Sequence, residues 1–171
     1  SEYKLPEENY EALVLHTSGT TSRPKMVPLT NKNICSSAEN ISKSLNLSET
    51  DHCLNIMPLF HIHGLIAILA ASIRSGASVC ASNGFNALKF LELAKTEKIT
   101  WYSGVPTMHQ AILLRAEKNL ELAKNLNLRL IRSSSASLPP AVFEKLNSVF
   151  SCSVIEAYGM TEATHQMTSN P

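Results

Sequence analysis

The sequence predicts an α/β fold: three layers, with a mostly parallel sheet and helices on both of its faces. Three observations point there. Strand-like and helix-like segments alternate along the chain, the pattern of parallel strands with covering helices. With 44% hydrophobic and 17% charged residues among 171, the chain can bury the core of one domain. The loops that follow the strand segments are polar and marked by Gly or Pro, and in open α/β sheets ligands gather at the carboxyl ends of the strands.

Taken in order, Ala12–Thr17 reads as a strand. Thr30 caps a helix to about Leu45, with polar and apolar positions at helical spacing. Cys53–Met57 is a short strand, and His63–Ile73 an apolar helix closed by Gly76. Ala77–Ala81 is a strand. Asn86 caps a helix to Lys95 whose apolar set is Leu88, Phe90, Leu91 and Leu93. Ile99–Ser103 is a strand, and Pro106 suits the first turn of a helix reaching about Lys118. Leu128–Ile131 is a strand, Pro139-Pro140 opens a helix to Phe150, and Val154–Tyr158 is the last strand. Five loops then fall on one edge of the expected sheet: 18–25, 58–64, 103–106, 133–138 and 159–165. There is no internal repeat, low-complexity tract or flexible linker.

A net charge of +1, without Lys/Arg runs or a basic stripe, argues against a nucleic-acid footprint. The longest apolar run, around Leu65–Ala71, is too short to span a bilayer, so no membrane insertion is expected. Cys35, Cys53, Cys80 and Cys152 lack metal or redox spacing and read as reduced thiols of an intracellular protein, cytoplasmic or peroxisomal. The opening Ser1-Glu2-Tyr3-Lys4, with neither Met nor an apolar signal core, suggests an internal piece of a longer protein.

The stretch Thr17-Ser18-Gly19-Thr20-Thr21-Ser22-Arg23-Pro24-Lys25 crowds hydroxyls and a cation after the first strand. Phosphate oxygens need several donors at once; loop hydroxyls and backbone N–H groups supply them, and Lys25 adds a compact charge. It is not a Walker loop, which needs Gly before the Lys and Ser or Thr after it; this chain has Pro24 and Met26 there. On its residues alone the stretch is equally a polar hairpin turn. His61-x-His63 hints at a metal, but zinc needs three or four ligands and no Cys/His cluster lies nearby in sequence.

Read with three further segments in order, the stretch resembles the signature loop of the adenylate-forming superfamily, the acyl-CoA synthetases, peptide-synthetase adenylation domains and luciferases. The usual form is Thr-Ser-Gly-Thr-Thr-Gly-x-Pro-Lys-Gly; Ser22 and Met26 replace its glycines. The other segments are Pro58-Leu59-Phe60-His61, Ser133-Ser134-Ser135-Ala136-Ser137-Leu138-Pro139 and Tyr158-Gly159-Met160-Thr161-Glu162. Ser22, His61-Ile62-His63-Gly64, Trp101-Tyr102 with Val105-Pro106-Thr107, and Glu156-Ala157-Tyr158 through His165 bring the chain close to the oxalate–CoA ligase branch. The expected fold is then part of the large N-terminal domain, without the C-terminal domain that carries the catalytic Lys. Met26 has no explanation: if the backbone there needs positive φ, a Met would strain it.

The resemblance implies ATP-dependent activation of a carboxylate to an acyl-adenylate, then a thioester with CoA. Thr17, Ser18, Gly19, Thr20, Thr21, Ser22 and Lys25 would hold the β- and γ-phosphates, and Thr161 the α-phosphate. Glu162 would ligate Mg²⁺. Tyr158 would stack on adenine, opposite Ser135, Ala136 and Ser137, with Glu156, Ala157 and Gly159 completing the nucleotide site. Thr161, Glu162 and Lys25 would be the catalytic set. In the family the first His of the His61 motif lies against the acyl carboxylate.

Oxalate is a small dianion without apolar surface, so its site should offer donors; His61, Ser135 and His165 are the expected grip on the distal carboxylate. A dianion beside them also favours protonated imidazole. His63 is assigned to the helix start, and His16, His52 and His109 to structure. Two alternatives stay open: a ligase for another acid, 4-coumarate-like or medium-chain, and a catalytically silent nucleotide-binding domain. The oligomeric state stays open too.

Overall fold

The structure, a computed structural model, describes residues 6–17 and 24–170. Six strands form one sheet in the order β4-β3-β5-β6-β7-β8. They are β3 (His52–Asn55), β4 (Ser78–Ala81), β5 (Trp101–Gly104), β6 (Leu130–Ser133), β7 (Ser153–Met160) and β8 (His165–Ser169). The first five are mutually parallel; β8 returns antiparallel to β7.

Each central strand is apolar on both faces, as a doubly covered parallel sheet requires. Leu54, Tyr102, Ile131 and Val154 face one layer, formed by α3 (Phe90–Thr96), α4 (Pro106–Ala116), α5 (Leu120–Lys124) and α6 (Pro140–Phe150). Cys53, Trp101 and Leu130 face the other, formed by α1 (Asn31–Ser44), a π-helix at His63–Ala70 and its continuation α2 (Ala71–Arg74). The three-layer α/β expectation therefore holds. Capping of α1 follows the expected chemistry. Thr30 Oγ1 accepts from the Asn33 N–H at 3.2 Å while Asn33 Oδ1 accepts from the Thr30 N–H at 3.0 Å, a reciprocal cap on α1. Asn86 does not cap α3 as expected: the N-cap is Lys89, without a side-chain bond, and Asn86 Oδ1 instead accepts from the Leu88 N–H at 2.9 Å in the turn ahead of it.

Three elements depart from expectation. The first strand, β1 (Glu11–Thr17), is not in the parallel sheet; it pairs antiparallel with β2 (Lys25–Thr30) in a separate hairpin. Pro28 inside β2 argues against a central strand, but in a two-stranded hairpin it costs no ladder between neighbours. Val27 and Leu29 bury while Met26 and Pro28 face outward. Only four of the five polar loops therefore edge the sheet; the fifth tips the hairpin, and its residues 18–23 lie outside the described residues. Second, β8 is too polar, His-Gln-Met-Thr-Ser, to announce itself as a strand. Third, the apolar helix begins with π-type turns. Met26 sits in extended β2 rather than at positive φ, so its backbone carries no strain from replacing Gly.

Candidate functional site

Strand period sets the site. Cys53, Trp101 and Leu130 point at α1 and the π-helix, and two residues on, the same face presents Asn55, Ser103 and Arg132. All three polar side chains are buried, Ser103 and Arg132 completely. Asn55 Oδ1 accepts from the Met57 N–H at 3.0 Å and shapes the loop that carries His61. Gly64 lets that loop lie against the π-helix: a Cβ there would run into the carbonyl oxygens of Pro58 and Met57. The result places the His63 ring over the ends of β5 and β6. His63 is wholly buried, with Nε2 2.6 Å from Ser103 Oγ and Nδ1 3.0 Å from Ser135 Oγ.

The turn from β7 to β8 brings in His165. Gly159 is obligatory, because a Cβ would overlap the His165 carbonyl. Ser135, Thr164 and His165 hold φ values of 72°, 58° and 109°. The other non-glycine residues with positive φ among those described, Asn46, Lys98 and Ser151, lie just beyond helix ends, where that conformation ends helices. Thr164 likewise closes the short 3-10 turn Thr161–Ala163, but Ser135 and His165 end no helix, and strained backbone of this kind concentrates at functional sites. Ser37 of α1 donates to the Thr164 carbonyl at 2.8 Å, tying the turn down.

Two adjoining pockets result, with Ser135 and Gly159 on both. The larger, ≈ 570 Å³, brings together Ser135, Ala136, Ser137, Glu156, Ala157, Tyr158 and Gly159, all expected at a nucleotide site, against Thr168 and Ser169 of β8 and the following Asn170. Tyr158 leaves its ring exposed there. Glu156 is committed to structure, its carboxylate accepting from the Leu138 N–H at 2.7 Å and so fixing the 135–138 loop. The smaller, ≈ 140 Å³, gathers His61, Ser135, Thr161 and His165 with Ile62, Gly159 and Met160. The three expected carboxylate donors thus share one small pocket.

Glu162 stands exposed on the short turn Thr161–Ala163. No cluster of three or more metal-ligating side chains occurs among the described residues. A lone hard carboxylate suits an Mg²⁺ held mainly by phosphates and water, not a protein cage. Thr17 and Lys25 face each other across the hairpin mouth. Ser18, Gly19, Thr20, Thr21 and Ser22 lie outside the described residues.

The sequence reading missed Arg132, Ser103 and Gln166, and left His63 as a helix start only. Arg132 Nη2 donates to His165 Nδ1 at 3.3 Å and to Gln166 Oε1 at 2.9 Å. Its Nη1 donates to Ser103 Oγ at 3.3 Å and reaches His63 Nε2 at 3.5 Å. No carboxylate pairs with it among the described residues. The signal was an Arg inside an otherwise apolar strand, Leu-Ile-Arg-Ser, where an unpaired charge is rarely buried.

Without a ligand, the surroundings of the three pocket imidazoles shift all of them toward the neutral form. Burial, then the Arg132 charge, drives His165 down to about 3, and the same causes hold His63 well below the ordinary range. Partial burial lowers His61 as well. Burial also lowers Arg132, to about 10, which leaves it charged at neutral pH. The fixed positive charge behind the pocket is therefore a guanidinium. His109, expected to be structural, is buried against Tyr102, its Nδ1 3.1 Å from the phenol oxygen.

The AMP-binding enzyme family matches the chain over residues 2–171. The chain belongs to that family. It is 50% identical over 162 residues to an oxalate–CoA ligase of Arabidopsis thaliana, covering 94% of this chain and 31% of that protein. To an oxalate–CoA ligase of Saccharomyces cerevisiae it is 45% identical, covering 93% and 28%. A sulfoacetate–CoA ligase of Cupriavidus necator is 36% identical, over 97% and 32%. Among solved structures, a malonyl-CoA ligase with methylmalonyl-CoA and AMP bound superposes with a TM-score of 0.85 at 34% identity, over 95% of this chain and 35% of that one. ATP-bound MatB of Rhodopseudomonas palustris gives 0.86 at 29%, over 97% and 32%. The chain thus spans about a third of the length of these AMP-binding relatives. Its six-stranded sheet is that of an adenylate-forming enzyme's N-terminal domain, as the sequence motifs implied. No helix among the described residues is long and apolar enough to cross a membrane.

Proposed function

We propose that the protein, at the length of its relatives, activates a small dicarboxylate, oxalate, with ATP and transfers it to CoA. The observation that carries this is the ≈ 140 Å³ pocket in which His61, Ser135, Thr161 and His165 meet, with Ile62, Gly159 and Met160 as its remaining wall. It is small for an aryl or acyl chain, and four of its residues carry hydrogen-bonding groups. The relatives named for oxalate, sulfoacetate and malonyl-CoA share a substrate with a second anionic group.

In this reading the first carboxylate oxygen attacks the α-phosphorus of ATP, and the bond to pyrophosphate breaks. The CoA sulfur then attacks the acyl carbon of the adenylate, and AMP leaves. Tyr158 and the 135–137 loop hold adenine, with Glu156, Ala157 and Gly159 beneath it. Thr161, on the wall of the small pocket, bonds the α-phosphate. Lys25, with Thr17 and the loop between them, takes the β- and γ-phosphates. Glu162 would hold Mg²⁺, which supplies charge neutralisation of the phosphates when bound. His61, Ser135 and His165 hold the distal carboxylate. The silent-domain alternative loses one support, because Met26 adopts an extended conformation without strain.

Pyrophosphate release by the full-length protein with ATP, Mg²⁺ and CoA tests the reading, across oxalate, malonate, acetate, octanoate and 4-coumarate. Oxalate is expected to be the preferred acid. His165→Ala is expected to lower its kcat/KM by roughly 10- to 100-fold, since a hydrogen bond to a charged group contributes about 1.5–3 kcal/mol. Preference for octanoate or 4-coumarate would overturn it.

A further inference from the structure

We propose that Arg132 is a positioning residue that locks His165 and His63 in the tautomers which turn an N–H and, through Ser135, an O–H toward the substrate's second carboxylate. The inference rests on the small-diacid reading above. A guanidinium has five N–H donors and no acceptor. Whatever ring nitrogen it bonds must therefore be unprotonated. Arg132 Nη2 donates to His165 Nδ1, so the one proton of that neutral ring is on Nε2, the nitrogen not engaged by Arg132. His165 lines the small pocket, and the Nε2–H is its remaining donor.

The second branch runs the same way. Arg132 Nη1 donates to Ser103 Oγ at 3.3 Å and approaches His63 Nε2 at 3.5 Å, so both accept. Ser103 in turn donates its hydroxyl proton to His63 Nε2 across 2.6 Å. That leaves the His63 proton on Nδ1, where it donates to Ser135 Oγ across 3.0 Å. Ser135 has its acceptor side used and its O–H free to turn toward the pocket it lines. The chain Arg132, Ser103, His63, Ser135 has one polarity, and such chains strengthen one another. His61 agrees: its Nδ1 accepts from the His63 backbone N–H at 3.1 Å, leaving Nε2–H as the donor. Three groups that each could donate or accept thus all become donors.

The charged and titratable groups around the cluster are Arg132 on β6, His61 and His63 at the π-helix, His109 on α4 and His165 at β8. None is acidic. An uncompensated guanidinium in a dry site is unfavourable, and a dianion entering in front of it supplies the missing partner. Neutral imidazoles are required for this, because protonated Nδ1 of His165 would repel Arg132.

The direct readout is ring-nitrogen NMR of the histidines, independent of any substrate. In the wild-type chain His165 is expected as the single neutral Nε2–H tautomer and His63 as Nδ1–H, both unchanged from pH 5 to 8. Arg132→Met, close in volume, is expected to mix the tautomers and let His165 titrate upward. In the full-length protein it should raise the oxalate KM by roughly 10- to 100-fold, the size expected when hydrogen bonds to a charged group are lost, with a smaller change in kcat. The KM should then improve as pH falls and His165 protonates, where the wild type is flat. Arg132→Lys keeps the charge but lacks the fork. It is expected to keep His165 neutral while losing the fixed tautomer of one ring, and it decides the matter if Arg132→Met does not fold. Unchanged tautomers in a folded Arg132 variant overturn the proposal. Tautomers that respond while oxalate is not a substrate would instead overturn the diacid reading and leave the Arg132 role standing.

Discussion

Arg129 stands just before β6 and Arg132 near its carboxyl end, and they meet opposite fates. Arg129, at the amino end of β6, closes on Asp51: Nε to Oδ1 and Nη2 to Oδ2, both at 2.7 Å. Thr100 and the Ser48 N–H complete that carboxylate, at 2.8 and 2.9 Å. Nothing is left to bind. Arg132, at the carboxyl end, is fully buried among neutral acceptors, without an acid among the described residues. Both ends spend a guanidinium, but one is satisfied by the fold and the other waits for something outside it. In a parallel sheet this division is expected, since ligands gather at the carboxyl ends of the strands. Here it is written within four residues of one chain.

The largest effect should come from breaking the closed end. Asp51 is buried while Arg129 is 40% exposed, so Asp51→Ala leaves Arg129 partly in water. The loss should lie between the roughly 0–1 kcal/mol of an exposed pair and the roughly 3–5 kcal/mol of a fully buried one. Urea unfolding would measure it. Arg132→Met should cost clearly less, because it removes a buried charge that had no acid partner, though His165 Nδ1 and Gln166 Oε1 lose a donor. A larger loss from Arg132→Met than from Asp51→Ala would erase the distinction between the two ends.

Acid sharpens the same contrast. Burial pushes the Asp51 carboxyl up, but Arg129, the Ser48 N–H and Thr100 together outweigh it, and its pKa lies below the ordinary value. A carboxyl lowered by folding stabilises the protein above its unfolded pKa, roughly 4. That contribution fades as pH falls through the folded value. Stability should therefore drop with acid below about pH 4, and Asp51→Asn should flatten this part of the slope. The Arg132 cluster acts over a wider window, from about pH 6.5 down to about 3, the value of His165. Its histidines are neutral in the fold, so they must charge on unfolding, which weakens stability from about pH 6.5 downward. Only the part of the slope that Asp51→Asn removes therefore belongs to the carboxylate. A slope unchanged by Asp51→Asn would remove the carboxylate from the account.

The sequence made the closed parts of the molecule easier to read than the open ones. Parallel strands, their helices and the cap at Thr30 rest on local patterns, and they stand within a few residues of where those patterns put them. The motif order brought His61, Ser135 and His165 to one pocket and Tyr158 to another. What escaped was pairing between distant segments. Nothing local says that Lys25–Thr30 folds back on β1, or that polar His165–Ser169 adds a strand beside β7. Arg132 escaped for the same reason: its neighbours His63, Ser103 and His165 come from three other elements, and only the assembled sheet shows that none is an acid.

The smallest effect should come from a pair with the same chemistry and no burial. Lys145 Nζ lies 2.9 Å from Glu117 Oε1, about as close as Arg129 lies to Asp51, but both side chains are exposed, at 60% and 39%. Water competes for each charge, and such pairs contribute about 0–1 kcal/mol. Lys145→Ala should shift the urea midpoint little, and still less in high salt, which screens exposed charges. If it cost as much as Asp51→Ala, contact distance rather than desolvation would govern these pairs. The buried guanidinium of Arg132 would then carry no special demand for an anion, and the case for its role would rest on tautomers alone.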